Sequence, residues 1–142
     1  MKIKELKTKA QVAEAYPVMK QLRPHLSEEE YLARVERAAQ LMNYRLLALY
    51  EEGKPVAAVG FLPRFSINQG DHVWVEDLVT DENHRSKGYG QLLLTEVEKW
   101  GIENGLGTIS LSSGLQRENA HRFYEDKMEY KKSSYLFRKT LR

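Results

Sequence analysis

Cysteine is absent from the 142 residues, which rules out disulfides, thiolate zinc sites and cysteine nucleophiles. A basic tail or stripe is missing too. The 22 Lys and Arg stand against 20 Asp and Glu, a net charge of +2. Nucleic acid is therefore not expected as a partner, since its binders carry clustered positive charge. Long apolar runs are also lacking: the longest, 46–50 and 56–62, fall far short of the roughly 20 residues that cross a bilayer. Residues 1–6 lack the apolar run of a secretory leader. No membrane partner and a cytoplasmic location are expected. The spacing of His25, His72, His84 and His121 offers no metal pattern, so no metal is expected. With no repeat, linker or low-complexity segment, residues 1–142 are read as a single domain of ordinary size.

What is present is periodicity. Residues 2–6 alternate polar and apolar as a first strand. Val12, Tyr16, Met19 and Leu22 recur at helical spacing, with Pro17 expected to kink or shorten that helix. Ser27 followed by Glu30 is a capping box, opening a helix with Tyr31, Val35, Ala38 and Met42 on one face. Strand-like runs 44–51 and 54–62 flank Glu52-Gly53, a hairpin signal. Residues 63–70 read as a polar loop and 72–80 as a third strand. Residues 91–103 carry Leu93, Val97 and Trp100 on one stripe, stopped by Asn104-Gly105. The segment 108–112 reads as a strand, 116–126 as a short helix and 134–139 as a final strand. Adjacent strands early in the chain argue for antiparallel pairing, and the later strand–helix–strand passage argues for a parallel crossover. The fold expected is α/β, a mixed, mostly antiparallel central sheet flanked by helices.

The segment 79–91 delivers a strand into a turn that becomes a helix. Gly88 and Gly90 remove two Cβ atoms where backbone amides can approach a ligand. The first amides of the helix have no intrahelical acceptor, and its dipole favours an anion. Arg85 and Lys87 add positive charge, so a pyrophosphate fits. A bare glycine-rich turn without ligand reads the same way. A Walker loop is excluded because Gln91-Leu92, not Lys-Ser/Thr, follows Gly90. A dinucleotide fingerprint is excluded because Leu93 stands where its third glycine belongs.

Arg85-x-x-Gly88-x-Gly90 after a strand, with Asn119-Ala120-His121-Arg122-Phe123-Tyr124 about thirty residues later, resembles the GNAT superfamily of N-acetyltransferases. The resemblance covers essentially the whole chain. It implies acetyl-CoA as cosubstrate, with the pyrophosphate on the amides of Ser86, Lys87, Gly88, Tyr89, Gly90 and Gln91 and with Arg85 beside it. It also implies pantetheine bonds to the backbone of Leu78, Val79 and Thr80, on a strand splayed from its parallel neighbour at 108–112. Asn119 and Phe123 are further implied cofactor contacts. Seven residues before Tyr124, where many relatives carry an asparagine, stands Arg117, so the contact falls to Arg117 or to Asn119. The glycine-aromatic pair usual after the tyrosine is represented by Glu129-Tyr130, displaced by one residue. Homodimerisation occurs among relatives, but the sequence offers no self-complementary patch.

Transfer of an acetyl group to an amine needs a base for the amine, stabilisation of an oxyanion, and a proton for the departing thiolate. From periodicity alone Tyr124 reads as a core tyrosine with a satisfied hydroxyl. The resemblance makes it the general acid, for which a phenol with a pKa near ~10 is suited. Strict alternation puts Trp74, Glu76 and Leu78 on one strand face and Val75, Asp77 and Val79 on the other. Adjacent carboxylates then cannot serve one site. The resemblance implies Glu76 as base, directly or through water, against a plain salt-bridge role; Asp77 ranks second. His84 and His121 are weaker candidates. The resemblance implies an acceptor pocket drawing on His25, Tyr31, Tyr44, Phe61, Phe65, Trp74 and Tyr135, an aromatic and acidic lining suited to a small cationic amine or a lysine-like protein amine; most of these aromatics read equally well as core. The reading that competes with an enzyme is a CoA-binding module without turnover.

Overall fold

Two of the three helices in the first half of the chain start where the sequence supplies a capping box. In the computed structural model, which describes residues 1–113 and 117–141, strand β1 (Lys2–Glu5) leads into α1 (Lys9–Glu14), capped by a reciprocal Thr8–Gln11 box. Helix α2 (Tyr16–Leu22) follows directly, because Ala15 ends one helix and opens the next. Pro17 sits in the first turn of α2, where its missing N–H costs nothing. It therefore separates two helices rather than kinking one. Helix α3 (Glu28–Met42) starts at the Ser27–Glu30 capping box and ends at Asn43, whose φ of 57° is left-handed.

Strands β2 (Arg45–Glu51) and β3 (Lys54–Ser66) form the hairpin. Glu52 and Gly53 have φ of 52° and 78°, as the twist of a two-residue hairpin turn demands. Strand β3 does not stop at Leu62. It continues to Ser66, pairing Arg64 with His72 and Phe65 with Asp71 on β4 (Gly70–Thr80). Residues 63–66 read as loop because this end of the hairpin carries exposed and polar side chains.

After a short 3₁₀ turn at Glu82–His84 comes α4 (Tyr89–Glu103), stopped near Gly105 (φ 72°), and then β5 (Ile109–Leu111). The sheet order is β1-β2-β3-β4-β5, antiparallel through β4. The Val73 N–H donates to Thr108 O, and the Gly107 N–H donates to Asp71 O. These bonds advance in the same direction along both chains, the parallel sense. They lie at the start of β4, which runs eleven residues against three for β5.

One sheet face carries α1, α2 and α3 over a core that includes Leu6, Val12, Val18, Met19, Tyr31, Leu46, Ala48, Leu62 and Val79. The other face carries α4, whose Leu93, Leu94 and Val97 are fully buried. Its Trp100 stacks edge-on against Phe61 at 5.1 Å. Gly101 is needed there, since a Cβ would lie 2.8 Å from Val73 Cγ2.

The chain forms two compact units, Met1–Ser110 and Leu111–Arg142. In the second, α5 (Glu118–Arg122) runs into a π-helical turn, Phe123–Lys127. Gln116, the expected start of this helix, lies outside the described residues. The final strand expected at 134–139 does not form: residues 131–141 carry neither helix nor strand. Alternation alone cannot make a strand without a partner edge.

Candidate active site

The decisive local feature is a β-bulge in β4. Phe61 pairs with Val75, but the next β3 residue, Gly60, pairs with Asp77. Glu76 is thus an extra residue, and an extra residue reverses the alternation beyond it. Val75 lies opposite Phe61 on the α4 face, whereas Val79 joins the core beneath α1–α3. Strict alternation would have kept these two on one face. Its conclusion that the two carboxylates point apart is also overturned. Asp77 takes bonds from Arg23 and Tyr44, while Glu76 Oε2 accepts a 2.6 Å bond from Nε1 of Trp74, which packs on the same core.

The two acids differ in their freedom. Asp77 is buried, with Oδ1 accepting from Arg23 Nε (2.9 Å) and Oδ2 from the Tyr44 hydroxyl (2.7 Å). Arg23 also donates through Nη2 to the Glu76 carbonyl at 2.9 Å, gripping both bulge residues. Burial first, then the Asp77 charge, holds the Tyr44 phenol well above its usual pKa, so it stays a donor. Gly60 makes this arrangement physically accessible, because a Cβ there would fall 1.7 Å from Tyr44 Oη. Glu76 is exposed and its carboxylate is met by a neutral indole, which leaves it accessible to a proton donor from solution.

This burial also corrects the expected aromatic lining. Tyr31 is core, its hydroxyl donating to Val12 O at 2.8 Å; Tyr44 is committed to Asp77; Phe61 belongs to the opposite face. His25, Phe65 and Tyr135 are exposed, and Trp74 is half-buried.

The glycine turn begins at a clasp with α2. Gln21 Nε2 donates to Asp81 Oδ1 (2.6 Å), and the Glu82 N–H donates to Gln21 Oε1 (2.9 Å). Asp81 Oδ2 accepts from His84 Nδ1 at 2.7 Å. The Gln21 bond and then His84 hold the Asp81 carboxyl below its usual range, so His84 is engaged as an anchor. Sequence reasoning singled out neither Gln21 nor Arg23. No local signal marks a helix residue whose partners lie more than fifty positions away.

Ser86 (φ 67°) and Gly88 (φ 83°) both take left-handed conformations. Gly88 opens α4 without any side-chain cap, and the first turn carries no acidic residue. Leu92 N–H is bonded to Gly88 O at 3.1 Å, so the amides of Tyr89, Gly90 and Gln91 precede the intrahelical ladder. Nothing lies within 4 Å of where a Gly88 Cβ would sit. Arg85, Lys87 and Gln91 are exposed. The Tyr89 side chain is buried and its hydroxyl donates to Glu51 at the end of β2, so this residue has only its backbone to offer a ligand. An uncapped fifteen-residue helix behind such a turn, flanked by two cations, is built to take an anion. Leu78, Val79 and Thr80 pair with β3 at Val59, Ala58 and Ala57.

In the second unit, Tyr124 is buried, with its ring edge-on to Phe123 at 5.5 Å and tilted against Tyr130 at 6.0 Å. Its carbonyl accepts from Tyr130 N–H at 2.8 Å, after Glu129 turns left-handed (φ 60°). The displaced Glu129-Tyr130 pair thus builds its own turn. Burial pushes the Tyr124 phenol up, opposed by the charge and hydrogen bond of Arg117. Asn119 instead accepts from Arg122 through Oδ1. Among the described residues no cluster of three or more His, Asp or Glu is placed to hold a metal. No helix among them is long and apolar enough to cross a membrane.

Known proteins resemble this chain in sequence and in fold. The model of the acetyltransferase (GNAT) family matches residues 11–130. The chain is 52% identical over 137 residues to the uncharacterised N-acetyltransferase YhdJ of Bacillus subtilis (strain 168), covering 96% of each. It is 38% identical over 63 residues to the L-ornithine N5-acetyltransferase NATA1 of Arabidopsis thaliana, 44% of this chain and 27% of that one. The solved structure of aminoglycoside N-acetyltransferase AAC(6')-Iy with CoA shares the fold, with a TM-score of 0.86 at 16% identity over 99% of this chain and 94% of that one. The match across residues 11–130 and the near full-length relative together show that the chain belongs to the GNAT family of acetyltransferases.

Proposed function

We propose that this acetyltransferase moves the acetyl group of acetyl-CoA onto a primary amine by direct attack. The observation that carries the reading is the uncapped N-terminus of α4 behind the left-handed Ser86 and Gly88, flanked by Arg85 and Lys87. The amides from Ser86 to Gln91 would hold the CoA pyrophosphate, and the backbone of Leu78–Thr80 would hold the pantetheine arm. Asn119 or Arg117 would supply a further cofactor contact in this reading, with Phe123 beside them in sequence.

Glu76 is the base in this reading. Asp77 is excluded from that role because both its oxygens are occupied by Arg23 and Tyr44. Glu76, directly or through water, takes a proton from the acceptor ammonium, and the nitrogen attacks the thioester carbonyl. The C–N bond forms, the C–S bond breaks, Tyr124 supplies the proton to sulfur, and the surplus proton of the acylated nitrogen leaves to solvent, from which the phenol is restored. A phenol held above its ordinary pKa is fully protonated at neutral pH and so available as that donor.

The test is thiol release from acetyl-CoA across a panel of primary amines, with the wild type, Tyr124→Phe and Glu76→Gln. Loss of about 10²-fold or more in kcat with CoA affinity retained is expected for each variant. If all three bind CoA equally and none turns over any amine, the protein is a CoA-binding module instead.

A further inference from the structure

We infer that the acceptor carries a carboxylate of its own, so that the substrate class is an amino acid rather than a simple polycation. This inference rests on the proposed role of Glu76. The Arg64 guanidinium lies over the Trp74 ring, 4.5 Å from its centroid. Trp74 Nε1 in turn donates to Glu76 Oε2 at 2.6 Å. One indole therefore holds a cation on its face and an anion at its edge. The two charges are kept apart by the ring and do not neutralise each other.

Arg64 is exposed, and no carboxylate of the described residues forms an ion pair with it. Stacking uses only the flat face of a guanidinium, so its in-plane N–H donors stay available for bidentate binding of a carboxylate. The strand register makes the placement stiff: Arg64 pairs with His72 and Leu62 with Trp74, so Arg64 and Trp74 are near neighbours on one ladder. A ligand that spans this platform needs an ammonium for Glu76 and, a few bonds away, an anion for Arg64. A diamine or polyamine would meet the fixed charge of Arg64 with its second cation and be repelled.

Matched pairs differing only by the carboxylate test this directly: lysine against cadaverine, and 2,4-diaminobutyrate against 1,3-diaminopropane, assayed by CoA release. The expected result is a kcat/KM for each amino acid about ten- to hundredfold above its decarboxylated partner, carried mainly by KM. Arg64→Ala, at an exposed position that leaves the core intact, should abolish that preference while sparing or raising turnover of the diamines. Equal or better use of the diamines by wild type overturns the inference and leaves the acetyltransfer reading standing. So does an Arg64→Ala variant that loses activity equally on both members of a pair. If no amine in the wider panel is acetylated at all, the proposed function fails and this inference fails with it.

Discussion

Replacing Gly60 by alanine adds one methyl group, and the structure says where it lands. The new Cβ would lie 1.7 Å from Tyr44 Oη, 2.3 Å from Cζ and 2.7 Å from Cε1. Ring and hydroxyl must both move, which breaks the 2.7 Å bond to Asp77. A hydrogen bond to a charged group contributes about 1.5–3 kcal/mol, and overpacking a core costs about 1–3 kcal/mol. Simple addition gives roughly 2.5–6 kcal/mol, a large share of the ~5–15 kcal/mol that holds a domain together. Urea unfolding followed by fluorescence of the two tryptophans reads the loss. The control is the same change in a Tyr44→Ala background, where the methyl meets space and Gly60→Ala should cost under about 1 kcal/mol. A wild-type loss below ~1 kcal/mol, or the same loss in both backgrounds, would refute the steric argument.

Other expectations follow from single contacts. Glu5→Gln removes the bidentate grip on Arg45 (2.8 and 3.0 Å) and, since both groups are partly solvated, should cost about 0.5–1.5 kcal/mol at pH 7. The Arg45 bond, more than its charge, depresses the Glu5 pKa below 4.5. The contribution is therefore complete above the unfolded pKa and fades as pH falls through the folded one, so the gap between wild type and variant should shrink steadily under acid; a gap that does not shrink as pH falls refutes the assignment. Arg23→Met frees both bulge residues and should lower kcat about tenfold or more and weaken acetyl-CoA binding with it, while Arg23→Lys, lacking the two-point grip, restores little. Gly88→Ala meets open space yet must adopt φ 83°. It should cost about 1–2 kcal/mol from the backbone alone and weaken CoA binding in calorimetry.

The features legible in the sequence are those whose chemistry is local. The Ser27–Glu30 box, the Glu52-Gly53 hairpin and the turn from Arg85 to Gly90 each depend on residues within a few positions, and each stands where its signal lay. The Thr8–Gln11 box carries the same kind of signal but was hidden by the broader helical pattern of 12–22. The bulge at Glu76 was not legible, because it is a property of how two strands align and not of either strand. That one slip misassigned Asp77 relative to Val75. Tyr31, Tyr44 and Phe61 misled for a related reason, since an inward-facing aromatic does not announce which of two cores it joins.

Helix α2 and the residue that caps its end are tied to β4 and the residue just beyond it at two places, through Arg23 at Asp77 and through Gln21 at Asp81. Between those anchorages lies only the stretch Leu78–Thr80, a short beam fixed at both ends rather than free at one. Displacing it requires both anchorages to yield together. Its amides and carbonyls are thus held in register before anything binds, and the entropy of ordering them has already been met during folding. If Leu78–Thr80 holds the acyl donor as proposed, loosening either anchorage should therefore appear first as a slower, weaker capture of its long flexible arm, well before the sheet itself loses stability.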